Sequence, residues 1–108
     1  MLLEYIMENR IFNDDCFNIF PQISEKSVQL VLVDLPYGQT ECKWDSVIDL
    51  NKMWEQLNRI LKPNGQVLFF CTTKFGNTLI NSNPKWFRND IVWEKNKPIG
   101  HLTAKKTL

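Results

Sequence analysis

Short apolar runs alternate with amphipathic stretches along this chain, and such runs predict strands while the amphipathic stretches predict helices. Residues 28–33 (VQLVLV) are apolar at every position except Gln29. This pattern is typical of a parallel strand that is covered by helices on both faces. Residues 66–71 (QVLFFC) predict a second buried strand, and two shorter runs, residues 10–13 and residues 90–93, predict two more.

The region between the two strong strands has helical periodicity. Leu50, Trp54, Leu57 and Leu61 recur every three or four residues and form one apolar stripe, which predicts an amphipathic helix with Trp54 in the core. Residues 63–65 (PNG) are typical of the end of a helix.

Two shorter helices are predicted on either side of this region. Residues 75–81 predict one of them, and the other begins after residue 13, where Asp14 or Asp15 is a candidate cap. Phe17, Phe20 and Ile23 would lie near one face of that earlier helix. The alternation of strands and helices predicts an α/β fold with a three-layer, mostly parallel sheet.

Length and composition fit one domain spanning residues 1–108, with 44% hydrophobic residues and no internal repeat. No apolar run is long enough for a membrane span, and Glu4 and Glu8 stand where a signal peptide carries basic residues. We therefore expect a cytoplasmic protein without a membrane partner. Three separated cysteines without a CxxC pair predict neither a disulfide framework nor a metal site.

Charge is distributed unevenly along the chain. The net charge is +1, but residues 84–108 carry six basic and two acidic residues. A basic segment of this kind is a candidate for contacts with nucleic-acid phosphates, and an ordinary solvated surface is the alternative. The candidate phosphate-binding residues are Lys95, Lys97, Lys105 and Lys106.

The segment DLPYG directly after residues 28–33 is the most informative part of the sequence for chemistry. Ligands of parallel α/β sheets bind at the carboxyl ends of the strands. There Asp34 can accept a hydrogen bond from an exocyclic amine, Pro36 stiffens the turn, and Tyr37 can stack on a flat ring. The alternative is a simple turn in which Asp34 caps the next segment.

The order of these motifs resembles the amino-group DNA methyltransferases, in their permuted (β-type) subgroup. That family uses S-adenosylmethionine and carries an (Asp/Asn/Ser)-Pro-Pro-(Tyr/Phe) tetrapeptide after a central strand. The resemblance covers about nine tenths of the chain, from Arg10 to Leu108. Its segments are IFNDDC, VQLVLVDLPYG, KWD, LNRILKPNGQVLFF and IVWEKNKPIGHLTAKK.

The resemblance implies roles for individual residues. Asp34, Pro36 and Tyr37 would be the catalytic residues that hold the target base, with Leu35 in place of the commoner proline. Asp at the first motif position usually accompanies methylation of adenine N6, and N4-cytosine is the alternative. Asp15 would bind the adenine amine of the cofactor, with Asp14 one residue away and a helix cap as the other interpretation.

The implied reaction is an in-line transfer of the sulfonium methyl group to an exocyclic nitrogen of a base extruded from DNA. No covalent enzyme intermediate is needed, and no cysteine lies in the Pro-Cys setting that attack at cytosine carbon 5 requires. Trp93 and Lys95 resemble the family's late motif beside the target base. A restriction-modification or phage enzyme is therefore expected.

The family's glycine-rich cofactor turn has no counterpart here, because no two of the four glycines are close enough to form one. We therefore expect an incomplete catalytic domain, without the glycine-rich cofactor half or a target-recognition region, and inactive alone. A complementary chain or a homo-oligomer is expected to form through an open sheet edge. The alternatives are a noncatalytic remnant that binds DNA or a partner, and methylation of a protein glutamine or an RNA base.

Overall fold

The structure is a computed structural model that describes residues 9–36 and 48–96. Strands and helices alternate in it, as predicted for an α/β fold. The elements in chain order are α1 (Cys16–Ile19) with a 3-10 turn (Phe20–Gln22), β1 (Val28–Asp34), α2 (Leu50–Ile60), β2 (Leu61–Phe70), α3 (Thr73–Ser82) and a final 3-10 turn (Pro84–Trp86).

The two strands form a parallel sheet. Leu30 of β1 lies opposite Gln66 of β2, and the register continues without a break to Asp34 opposite Phe70. Parallel strands need a long crossover, and α2 lies within that connection. Because the strands are parallel, both end at the same edge of the sheet.

The beginning of β2 bulges away from β1. Val28 lies opposite Leu61, and the register then shifts before Leu30. Inside the bulge the Gln29 side-chain amide donates to the Asn64 carbonyl at 3.1 Å. A Cβ on Gly65 would lie 2.8 Å from Leu61 Cδ2 and 3.2 Å from the Val28 carbonyl oxygen, so this close approach requires glycine. The PNG segment predicted to end the helix therefore lies within β2.

The helices supply most of the buried core. Asp49 caps α2 by accepting from the Lys52 backbone N–H at 3.1 Å, and Thr72 caps α3 by accepting from the Phe75 N–H at 3.2 Å. Both caps fix where these amphipathic helices begin. The buried residues are Met53, Leu57, Ile60, Leu61, Phe75 and Leu79.

The predicted apolar stripe is largely confirmed. Leu57 and Leu61 are buried, while Leu50 and Trp54 are half-buried and pack against the core. Trp54 also donates from Nε1 to the Ser82 hydroxyl at 2.8 Å, which satisfies its one polar group. Leu61 itself begins β2 rather than ending the helix.

Only one face of the sheet is covered by the described residues. Val31, Val67 and Phe69 pack against the buried cluster of α2 and α3, and we call this the closed face. The side chains that alternate with them point the other way. They form what we call the open face: Leu30, Leu32, Leu68 and Phe70, with Gln66 and Asp34 on the same side.

The described residues form two of the three predicted layers, and the third layer stays a prediction. Leu30 is 54% exposed and Leu32 is 62% exposed, although the strand sequence predicts burial on both faces. The described part of the chain has two layers because α2 and α3 both pack against the closed face. Strand composition indicates that a face is suited to burial, whereas covering it requires a second element.

Two predicted strands are wrong. Residues 10–13 and 90–93 have no strand assignment, and Ile11 and Ile91 are 99% and 81% exposed. A strand is stabilised by hydrogen bonds and side-chain contacts to a neighbouring strand. The sheet of the described residues consists of β1 and β2 alone, and neither short run pairs with a free edge of these strands.

The short helix α1 is present where predicted, but it ends at Ile19, so Phe20 and Ile23 lie beyond it. Phe17, Phe20 and Ile23 nevertheless all pack against the core. Arg59 holds this region to α2. Its Nη1 donates to the Ile23 carbonyl at 2.8 Å and its Nη2 to the Phe20 carbonyl at 2.6 Å. Within the described segments, no helix has the length and apolar character that crossing a membrane requires.

Candidate functional site

Asp34 is the last residue of β1 and is exposed at the carboxyl end of the sheet. It lies in register with Phe70, the last residue of β2. Register partners on neighbouring strands project to the same side of a sheet, so both belong to the open face. The location predicted for Asp34 from the strand pattern is confirmed, and its role in binding a base stays a prediction.

Leu35 and Pro36 follow Asp34 and are the last described residues of this segment. Leu35 is half-buried and packs against the core, which anchors the strand end. Pro36 is half-buried as well, and its ring fixes φ and leaves no N–H to satisfy. Tyr37, the third predicted catalytic residue, lies outside the described residues.

An aromatic pair lies beside Asp34 on the open face. The ring centroids of Phe70 and Trp93 are 5.7 Å apart, with the rings tilted by 47°. Trp93 is 70% exposed and Phe70 is 39% exposed, so the pair offers ring surface to solvent. Sequence reasoning missed Phe70. The sequence did contain a signal for it. Residues 66–71 predict a strand parallel to β1, and parallel strands end at the same edge of a sheet.

Asp15, the predicted cofactor ligand, is the cap of α1. Its Oδ1 accepts from the Phe17 backbone N–H at 2.9 Å, as the capping interpretation predicts. The neighbouring Asp14 accepts from the Asn18 side-chain amide at 2.9 Å and from the Asp15 N–H at 2.7 Å. These hydrogen bonds, the one from Asn18 first, lower the pKa of Asp14 below its ordinary value.

The predicted phosphate-binding lysines are described only in part. Lys95 is exposed, two residues beyond the ring that contacts Phe70. That contact brings the segment to the carboxyl edge of the sheet. Lys97, Lys105 and Lys106 lie outside the described residues, so their role stays a prediction.

A shallow groove lies on the helical side of the molecule. It is lined by Asn51, Glu55, Asn58, Asn83 and other side chains of the same region. Its floor includes Trp54, which packs edge-on against Phe69 of the closed face with ring centroids 5.5 Å apart. The groove and Asp34 therefore belong to opposite faces, and the groove adds no group to the predicted site.

The described cysteines are free thiols, Cys16 and Cys71. Burial raises the pKa of the Cys16 thiol above its ordinary value, and the nearby Asp15 carboxylate raises it further. A raised pKa makes a thiol a poorer nucleophile at neutral pH. In the part of the chain that the structure describes, no three His, Cys, Asp or Glu side chains are grouped to hold a metal ion.

Comparison with known proteins shows a sequence similarity to a methyltransferase. The chain is similar to the type II methyltransferase M1.MboII of Moraxella bovis, with 28% identity over 102 residues. The match covers 85% of this chain and 39% of the relative, so the chain spans well under half the relative's length. No family model matches the chain, and no solved structure does. The similarity supports a relationship to methyltransferases.

Proposed function

We propose that this chain is the base-binding part of an S-adenosylmethionine-dependent DNA methyltransferase that acts on adenine N6. The observation that carries the proposal is the exposed Asp34 carboxylate at the carboxyl end of a parallel strand, followed by the sequence LPYG. The similarity to a type II methyltransferase supports the same reaction class. A restriction-modification setting and a cytoplasmic location follow from this proposal.

The proposed chemistry of Asp34 is to orient an amine. The lone pair of an aromatic amine is delocalised into its ring, which makes the nitrogen a weak nucleophile. Hydrogen bonds from the two amine protons, one to Asp34 and one to a backbone carbonyl of the turn, localise that pair on nitrogen. Positioning of the amine then supplies most of the rate enhancement.

Aromatic surfaces beside Asp34 suit an extruded base. Tyr37 follows in sequence and is proposed as a stacking ring. Phe70 is in register with Asp34 and contacts Trp93, so a base held by Asp34 would meet an apolar ring surface next to its amine. Stacking of this kind is worth about 1–3 kcal/mol per base, enough to offset part of the cost of unstacking it from DNA.

The described residues do not by themselves fit the cofactor. S-adenosylmethionine, when bound, supplies the electrophilic methyl group. The described residues offer it the Asp15 carboxylate but no glycine cradle. A Cβ on Gly65 would meet atoms of Leu61, and a Cβ on Gly76 would lie 3.1 Å from Cys71 Sγ, so both glycines face protein atoms. Gly38 and Gly100 lie outside the described residues, and no two of the four glycines are close in sequence. We therefore propose that a complete cofactor site needs groups other than the described residues.

The proposal predicts that the isolated chain binds S-adenosylmethionine very weakly or not at all and has no measurable methyltransferase activity. Isothermal titration calorimetry of the purified chain with S-adenosylmethionine measures the first quantity, with light scattering to establish its state of association. A micromolar or tighter dissociation constant for a monomer would contradict the proposal.

Activity is tested in a chimera in which this chain replaces the matched part of the Moraxella bovis relative, with the unmodified relative as reference. We expect N6-methyladenine in the DNA product. Asp34→Ala should lower the methyl-transfer rate by about 10²–10⁴-fold and leave DNA binding intact. Glu25→Ala is the control and should leave the rate unchanged, because Glu25 is an exposed acid three residues before the start of β1.

Product analysis separates the alternatives. N4-methylcytosine in the product would show that Asp at the first motif position misidentifies the base. Methylated RNA or a methylated protein glutamine would redirect the substrate assignment. A folded chimera that binds DNA without transferring methyl groups would favour a noncatalytic binding remnant.

A further inference from the structure

The groove on the helical side of the molecule is polar and aromatic, and it is separate from the candidate site. One wall is a stripe of α2 that contains Asn51, Trp54, Glu55 and Asn58. These residues are three or four positions apart, so they share one face of the helix. The other wall is the corner after α3, which includes Trp86. The groove has a volume of about 630 Å³, within the range of binding sites in proteins.

The polar side chains of the groove have hydrogen-bonding capacity that the described protein does not use. Asn51, Asn58 and the half-buried Asn83 make no side-chain hydrogen bond to another described residue. Each carboxamide carries donors on its nitrogen and an acceptor on its oxygen. A ligand with alternating donors and acceptors could therefore pair with all three.

Glu55 gives the groove a negative charge. It is the only charged residue among the described residues that line the groove, and it forms no ion pair with a described residue. Arg59, one turn later on α2, is directed elsewhere and donates to the carbonyls of Phe20 and Ile23. The unpaired carboxylate favours a cationic ligand group and repels a phosphate.

Two tryptophan rings form a corner in the same groove. The ring centroids of Trp54 and Trp86 are 5.6 Å apart, and the ring planes are inclined by 71°. Trp54 is fixed by its hydrogen bond to Ser82 and by its edge contact with Phe69, while Trp86 is 38% exposed. Tryptophan faces attract guanidinium and ammonium groups. The rings and Glu55 therefore favour the same kind of ligand group.

We propose that this groove binds an extended, basic segment of another polypeptide. An arginine or lysine side chain of the segment lies between Glu55 and the tryptophan rings, and the carboxamides pair with its backbone N–H and C=O groups. Asn51 and Asn58 are separated by roughly 10 Å along the helix axis. Three residues of an extended chain span about the same length. This inference goes beyond the proposed function and does not depend on it.

The location of the groove keeps this partner apart from the proposed DNA substrate. Trp54 packs against Phe69 of the closed face, whereas Asp34 and Phe70 belong to the open face. Lys95, a proposed phosphate contact, follows Trp93, whose ring lies against Phe70. A peptide in the groove would therefore leave the candidate site accessible.

Fluorescence anisotropy of a labelled peptide, titrated with the full chain, tests the proposal. The probe is the peptide Ser-Gly-Leu-Arg-Leu-Gly-Ser, with fluorescein at its amino end and an amide at its carboxyl end. The comparison peptide has citrulline, a neutral isostere, in place of arginine. We expect the arginine peptide to bind roughly fivefold or more tightly than the citrulline peptide, because only arginine carries the charge that Glu55 and the rings attract.

Removing the charge of the groove tests the role of Glu55. Glu55→Gln should weaken binding of the arginine peptide roughly fivefold to tenfold and remove the preference over citrulline. Glu94→Gln is the matched control, since Glu94 is also exposed and lies next to Trp93, outside the groove. It should leave both affinities unchanged.

Removing a carboxamide tests the pairing with the peptide backbone. Asn58→Leu keeps the approximate size of the side chain and should weaken both peptides equally, by about threefold to tenfold. Asn77→Leu on α3 is the control, because Asn77 is exposed and does not line the groove. Circular dichroism of each variant establishes that it remains folded.

Several outcomes would overturn the proposal. These are equal affinity for the two peptides, equal effects of Glu55→Gln and Glu94→Gln, and absence of binding at about 1 mM protein. Tighter peptide binding after Lys105→Ser and Lys106→Ser would instead assign the groove to the basic C-terminal segment of the chain itself. None of these measurements involves methyl transfer, so their failure leaves the proposed function standing.

Discussion

The closed and open faces of the sheet come from the same two strands and differ in what lies above them. Leu57 of α2 is 1% exposed against the closed face, whereas Leu32, on the other side of β1, is 62% exposed. Both are leucines in strongly apolar surroundings. Their different burial shows that the two helices adjacent to these strands in sequence, α2 and α3, cover only one face of the sheet.

Sequence distance explains this difference. The helices α2 and α3 are the immediate neighbours of β2 along the chain, so covering the closed face requires only short loops. Neither helix covers the open face, so covering it requires another segment or a second molecule. The cost in chain entropy of bringing such a segment to the sheet grows with the length of the connecting chain.

The largest expected effect on stability comes from truncating Leu57, with Leu32 as the comparison. Leu57→Ala should lower the free energy of unfolding by about 2–5 kcal/mol, because it leaves a cavity among buried side chains. Leu32→Ala should change it by less than about 1 kcal/mol in dilute solution, since the side chain is already mostly in water. Urea denaturation followed by circular dichroism measures both.

The same pair of variants can also contradict this comparison. Comparable losses for both variants at 1 µM would mean that the open face is covered within one chain.

The helices and the two main strands were predictable because their signals are local. The stripe of Leu50, Trp54 and Leu57 repeats within three turns, and the position of Asp34 follows directly from the apolar run before it. The absence of a strand at residues 10–13 was not predictable, because a run with two apolar residues favours β-structure whether or not it pairs with another strand. The same limit applies to residues 90–93.

The candidate site was predictable to a similar degree. Asp34 and Pro36 lie at the carboxyl end of the sheet, as expected for residues that end or directly follow a parallel strand. Phe70 was missed because its position beside Asp34 depends on the register between two strands, which the shift at Gly65 alters. Sequence spacing carries no record of such a shift.

A smaller effect is expected for Arg59, which connects the elements of the closed side. Its guanidinium donates to the carbonyls of Phe20 and Ile23, residues more than 35 positions away in sequence. Arg59→Ala should lower the free energy of unfolding by about 1.5–3 kcal/mol, because hydrogen bonds with a charged donor are lost at a half-buried site. Thermal and urea unfolding measure the change.

A second arginine provides the control for this variant. Arg88 also donates to backbone carbonyls, at 2.9 Å to Lys85 and 3.0 Å to Phe87, but both are neighbours in sequence and exposed. Arg88→Ala should therefore change stability by less than about 0.5 kcal/mol. Equal losses in the two variants would show that the contacts from Arg59 do not hold α1 to the closed side.

The smallest expected effect is chemical and concerns Cys16, at the start of the helix that packs against the core of the closed side. Burial and the Asp15 charge raise its pKa, so less thiolate is present at pH 8 in the folded chain than in the unfolded one. Iodoacetamide should alkylate Cys16 more slowly in the folded chain than in urea. Peptide mass spectrometry separates this thiol from the others.

Removing the Asp15 charge tests the cause of that slow alkylation. Asp15→Asn keeps a side chain that can cap α1 and removes the negative charge, so the pKa of Cys16 should fall and its alkylation should become a few-fold faster. The raised pKa of Cys16 also makes the free energy of unfolding depend on pH. A raised folded-state pKa contributes stability that is fully present below the ordinary pKa of 9.0 and is lost as the pH rises above it. Asp15→Asn should therefore reduce the loss of stability above pH 9. If the alkylation rate in the variant stays at the wild-type value, the Asp15 charge does not contribute to the raised pKa of Cys16.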